Sequence, residues 1–179
     1  MACIVAILMP GCNTIGPRSA NPQQSKLGVL IIAGEGLNSC CYKDAWSSSF
    51  VFETSAKVAA AVQKEIQQRG TAAQVFLSRD PSINPRTHIS ELLSQDKRDG
   101  LIQVNIIHKK QEDKYSITLT LRYNPLQWGE NSEGQNIVTL VGPTANYSLV
   151  NDESFNDARL REYAHEFAAR LYKEDFIGK

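Results

Sequence analysis

The apolar residues of this chain fall into two alternating periods. The run LGVLIIAG at 27–34 is continuous, rich in β-branched residues and closed by glycine, which predicts a strand buried on both faces. In TSAKVAAAVQKEIQQRG, Val58, Val62 and Ile66 recur at helical spacing, with Thr54 or Ser55 placed to cap the start and Gly70 to stop the end. TAAQVFLSR is the next strand, and strand, helix, strand in this order predicts a right-handed βαβ unit. THISELLSQDKRDG then offers a short helix with Thr87 as its cap, Ile89, Leu92 and Leu93 as its apolar face, and Gly100 as its end.

The second half changes period. LIQVNIIHKK, KYSITLTLRYNPL and QNIVTLVGPTANYSLV read as three consecutive strands, the first two joined by KQED and the third approached through the polar QWGENSEG. A meander at the edge of the sheet is the simplest arrangement. Ser116, Thr118, Thr120 and Arg122 alternate with Tyr115, Ile117, Leu119, Leu121 and Tyr123, so one face of that strand meets a core and the other meets water. The last helix, within NDESFNDARLREYAHEFAARLYKEDF, is acidic at its start and apolar at Phe155, Leu160, Ala164, Phe167 and Leu171. The expected fold is therefore α/β (α+β): a single mixed sheet in the order β-α-β-α-β-β-β-α, with helices mainly on one face.

The chain opens with MACIVAILMPGCNTIG, an apolar run that stops at Gly11-Cys12. This stretch resembles the bacterial lipoprotein signal with its lipobox, departing from it in having no Lys or Arg ahead of the run and in carrying Met9-Pro10. The resemblance implies removal of residues 1–11 as a signal peptide and acylation of Cys12. The following NTIGPRSANPQQSK is polar with two prolines and no apolar period, as a flexible tether over 12–26 would be. The single domain then spans 27–179. The alternative is an N-terminal β-strand with a packed, free Cys12.

Composition narrows the classes. A chain of 179 residues, 42% hydrophobic and 21% charged, suits one globular domain, and its formal net charge of zero gives no reason to expect a nucleic-acid partner. No apolar run reaches the ~20 residues of a membrane-spanning helix, so attachment to a membrane would be through a lipid.

From GTAAQVFLSRD through DGLIQVNIIHKKQEDKYSITLTLRYNPLQ, the order of elements resembles the small periplasmic α/β domain of the TolB N-terminal and CsgG-like families. Asp99, Gly100, Leu101 and Ile102 match that domain's turn into a strand, and Thr118, Leu119, Thr120 and Leu121 match its hairpin strand. The resemblance implies a docking or ring-forming module of the cell envelope, without catalysis.

A search for catalytic groupings supports that expectation. His88, His108 and His165 lie far apart, with no local zinc spacing, so no metal site is expected. Cys40-Cys41 in GEGLNSCCYKDAW would place a nucleophile in the loop after the first domain strand, with His108 as a distant base. The bland reading is a pair of free or packed thiols or a strained vicinal disulfide. Gly34 to Gly36 lack the third glycine of a dinucleotide loop, and Ser47 to Ser49 lack the flanking glycines of a nucleophile elbow, so each reads as turn or loop. No cofactor is indicated. Trp46 and Trp128 sit in polar, turn-forming stretches that do not need a large ring, which makes each a candidate partner contact; the other reading is that each ring folds back to cap the core beneath its loop.

The expectation is a lipid-anchored, non-enzymatic protein of the outer membrane facing the periplasm, which binds an envelope protein or itself. Two alternatives stand beside it: a small envelope thiol enzyme using Cys40 or Cys41, and a cytosolic α/β protein with an apolar N-terminal strand.

Overall fold

The computed structural model describes residues 7–8, 27–34, 48–78, 85–111, 114–141, 145–151 and 156–177. In chain order the elements are β1 (Ile7–Leu8), β2 (Val29–Gly34), α1 (Ser48–Gln68), β3 (Ala73–Ser78), α2 (Pro85–Gln95), β4 (Gly100–Gln111), β5 (Lys114–Glu130), β6 (Asn136–Leu140), β7 (Ala145–Asn151) and α3 (Asp157–Lys173). They build one mixed sheet in the order β1-β6-β5-β4-β2-β3, with β7 also paired to β5. The α/β class, the single mixed sheet and the βαβ unit are as the sequence predicts, with β2 parallel to both β3 and β4.

Strand β2 is buried along its whole length, which explains its unbroken apolar run. Val29, Ile31 and Ala33 face a large core shared with α1 and α3, built around Val58, Val62, Ile66, Ala164, Phe167 and Leu171. Leu30 and Ile32 face a smaller core on the opposite side of the sheet, where Ile89 and Leu93 of α2 meet Leu101, Leu126 and Val138. Two helices thus cover one face and one covers part of the other.

Several boundaries differ from the sequence reading. Helix α1 begins at Ser48, so Thr54 and Ser55 lie inside it and are buried, and the Ser55 hydroxyl donates to the Phe52 carbonyl at 2.9 Å instead of capping. The polar loop expected at Ser47 to Ser49 is therefore helical from Ser48. Gly70 does end this helical region, in the left-handed conformation with φ 87°. Helix α2 starts at Pro85, which is suited to a first helical position, and it closes at Gln95; Thr87 is internal and Gly100 already belongs to β4. Asn156 caps α3, accepting from the Arg159 amide at 2.9 Å.

The three-strand reading of the second half becomes four strands. β5 runs on through Trp128 to Glu130, absorbing the start of the stretch expected to be loop. The expected third strand is divided into β6 and β7, which lie end to end against β5. Leu126 pairs with Leu140, whereas Tyr123 pairs with Ala145, so the register slips by two residues between them. The alternation in β5 is as expected: Leu119, Leu121 and Tyr123 are buried, while Arg122 is exposed and Thr120 meets Ser148 across to β7 at 3.2 Å.

Candidate interaction surface

The turn between α2 and β4 holds the residues that lead into β2. The Leu27 amide donates to Asp99 Oδ2 at 2.7 Å, and Arg98 Nη1 donates to the Leu27 carbonyl at 2.8 Å. Arg98 Nη2 also donates to Gln74 Oε1 at 2.7 Å and pairs with Asp96, so one guanidinium ties Leu27 to β3 and the turn. The Asp99 amide donates to the Gly28 carbonyl at 2.9 Å. Gly28 has φ 83°, and a Cβ there would lie 2.3 Å from the Ala72 carbonyl oxygen, so no other residue fits.

Trp128 closes this end. Its ring is half-buried against the smaller core, its Nε1 donates to the Arg98 carbonyl at 2.6 Å, and Lys97 Nζ lies 5.2 Å from the ring centroid. Period two explains the placement. Leu126 and Trp128 lie on the inner face of the β5–β6 hairpin, opposite Leu140 and Val138. That alternation was present in the sequence, hidden by the polar residues between.

Among the described residues three strand edges bound the sheet: those of β3, of β1 and of β7, which pairs with β5 alone. β3 pairs there with β2 alone and carries half-buried Val75 and Phe76 and exposed Leu77. Its first outward carbonyl, that of Ala73, accepts from Gln63 Nε2 and Gln67 Nε2 of α1, each at 3.0 Å. At the opposite end, β1 pairs in parallel with β6, Ile7 with Val138 and Leu8 with Thr139.

Charged side chains cluster along the α1–α3 seam. Glu65 accepts from Arg69 Nη1 at 2.6 Å and lies 2.9 Å from His165 Nδ1. The Arg69 hydrogen bond holds the Glu65 carboxyl below its ordinary range, against the opposing effect of burial, with His165 adding to the shift. Lys57 and Asp157 pair at 2.9 Å, and this hydrogen bond lowers the Asp157 carboxyl. A shallow groove lined by Lys57, Lys64, Glu65, Asp157 and Arg161 runs between them. Ala60, Ala61 and Leu160 complete its lining, and both of its carboxylates are already paired, Asp157 with Lys57 and Glu65 with Arg69 and His165.

Of the residues singled out in the sequence, Cys12, Cys40, Cys41 and Trp46 lie outside the described residues. His88 stacks obliquely on Phe76 at 4.6 Å, and His165 joins Glu65; the structure does not bring them together. Among the described residues no group of His, Cys, Asp or Glu is arranged to hold a metal ion, and no helix is long and apolar enough to cross a membrane.

No known protein family and no curated protein matches the sequence. Among solved structures, the chain is similar to two PelC dodecamer structures from Paraburkholderia phytofirmans. One has 12% identity and a TM-score of 0.39 over 88% of this chain and 95% of that one; the other has 11% identity and a TM-score of 0.37 over 86% and 89%. It is also similar to the hypothetical protein CT253 from Chlamydia trachomatis, with 14% identity and a TM-score of 0.28 over 83% of this chain and 93% of that one.

Proposed function

We propose that this chain is a lipid-anchored, non-enzymatic protein of the bacterial envelope, held through Cys12 at the outer membrane on its periplasmic side. It would act there as a docking, assembly or ring-forming factor. One observation carries the reading: an apolar run ends at Gly11-Cys12, a polar stretch follows, and the chain is pinned to the domain at Leu27 by Arg98 and Asp99. As a flexible tether, residues 13–26 would give the domain a reach of about 20 Å from the bilayer. Contact with an envelope partner or a second copy then occurs at raised effective concentration. Trp46 and the outward part of Trp128 are the proposed contact residues.

The pairing of Ile7–Leu8 with β6 favours a second reading, in which the apolar run is a permanent strand of a cytosolic α/β protein. Intact mass and membrane fractionation of the chain expressed in a bacterium with its native N-terminus, beside Cys12→Ala, decide between them. Loss of residues 1–11 with a gain of acyl mass, abolished by the variant, is the expected result. An unmodified, soluble, full-length chain would overturn it. Alkylation of Cys40 and Cys41 without loss of function would remove the thiol-enzyme alternative.

A further inference from the structure

We propose that Ile7–Leu8 keep the outer edge of β6 closed, and that once they are withdrawn this edge takes β3 of a second copy of the chain, added in parallel. The proposal deepens the lipoprotein reading, which supplies the means of withdrawal: removal of residues 1–11.

The edge held by β1 is suited to exchange. Among the described residues β1 covers Val138 and Thr139 of the five-residue β6, whose sequence NIVTL carries no charge or proline to discourage another strand. Two residue pairs are a small holding beside the five pairs that join β6 to β5.

The choice of β3 as the replacement follows from position, composition and polarity. Among the described residues no strand pairs with the outer edge of β3 or of β7; β7 lies on the same side of β5 as β6 itself, whereas β3 lies at the other end of the strand order, where it can meet the β6 edge of a neighbour. AQVFLS is also free of charge and proline, and Leu77 is 39% exposed. The Val29 amide bonds the Ala72 carbonyl, so the parallel ladder turns the peptide groups of Ala73, Val75 and Leu77 outward. Gln63 and Gln67 cap the first of these at the Ala73 carbonyl, which leaves Val75 and Leu77 to pair, a span matching the one β1 occupies.

Polarity closes the case. β6 and β4 are both antiparallel to β5, and β4 is parallel to β2 and β2 to β3, so β6 and β3 run the same way. Copies arranged side by side about an axis along the strands keep that direction. β3 of a neighbour therefore reaches β6 in parallel, the polarity Ile7–Leu8 already have, and repetition gives head-to-tail assembly.

The test uses the full chain in reducing buffer with Cys12→Ala, so that processing and lipid play no part. Sedimentation velocity should give a single chain of 19.9 kDa. Adding Ile7→Asp and Leu8→Asp, which put charge on the covering strand, should raise the weight-average mass at least twofold. Leu77→Lys, at an exposed position that should leave the fold intact, should return it to one chain. A monomeric Ile7→Asp/Leu8→Asp protein would overturn the proposal, as would equal assembly of the Cys12→Ala chain alone or assembly indifferent to Leu77→Lys. If the native chain keeps its leader yet the double variant assembles, the edge exchange stands and the lipid anchor falls.

Discussion

A Cβ at position 100 would lie 2.5 Å from Cε2 of Tyr123 and 2.8 Å from its hydroxyl oxygen, so Gly100 lets the tyrosine ring lie across the start of β4. The ring continues to the end of the chain, where its hydroxyl donates to the Phe176 carbonyl at 2.9 Å. The glycine of the DGLI turn is thus a packing requirement between the sheet and the segment after α3.

Gly100→Ala should therefore destabilise the fold by about 1–3 kcal/mol, the range for overpacking a filled core. At this chain length each kcal/mol lowers Tm by about 2–4 °C, so a thermal melt is sufficient. Gly129→Ala is the control, because among the described residues its Cβ would meet Ile137 Cγ1 alone, at an ordinary 3.8 Å. A Tm for Gly100→Ala equal to that of the control would show that the ring is free to move aside.

Tyr123 also makes stability depend on alkaline pH. Burial, with a smaller contribution from the Asp99 charge, pushes its phenol well above the ordinary value of 10.0. The unfolded chain loses this proton first, so the native state holds more protons above pH ~10 and stability falls as pH rises from there. Tyr123→Phe should cost about 1 kcal/mol at neutral pH through the lost bond to Phe176 and should flatten the alkaline decline. Urea titrations at neutral and alkaline pH measure both, and parallel declines in the two proteins would assign the alkaline effect elsewhere.

Trp128→Ala should lower Tm by several degrees, because the half-buried ring packs on the smaller core and its Nε1 bonds the Arg98 carbonyl. Trp128→Phe keeps most of the apolar area and loses the hydrogen bond, so it should fall between the wild type and alanine. An unchanged Tm in the alanine variant, with weakened assembly, would instead make the ring a contact residue alone.

Much of the fold was legible because single elements carried strong local signals. The β2 run, the Val58, Val62 and Ile66 stripe, and the alternation through Leu119, Leu121 and Tyr123 each place their residues in the core as read. Helix starts were less legible. Thr54 and Ser55 are good caps in isolation, but Val51 is buried one turn earlier and extends the apolar stripe back toward Ser48. The glycine and polar residues of the QWGE stretch predict a loop, although Leu126 and Trp128 continue the period of β5. For the candidate surface, the sequence marked Trp128 as unusual but held no sign of its bond to Arg98.

The sequence by itself determined the class of fold, the βαβ order, the two-faced β5 and the position of the apolar run before Cys12, because each is written in the spacing of neighbouring residues. Only the tertiary structure decided that β6 and β7 share one side of β5 with a two-residue slip, that a second core lies under α2, and that Arg98 joins Leu27, Gln74 and Trp128. Those features depend on which distant segments lie side by side, and residue spacing records the face an element buries without recording the partner it buries that face against.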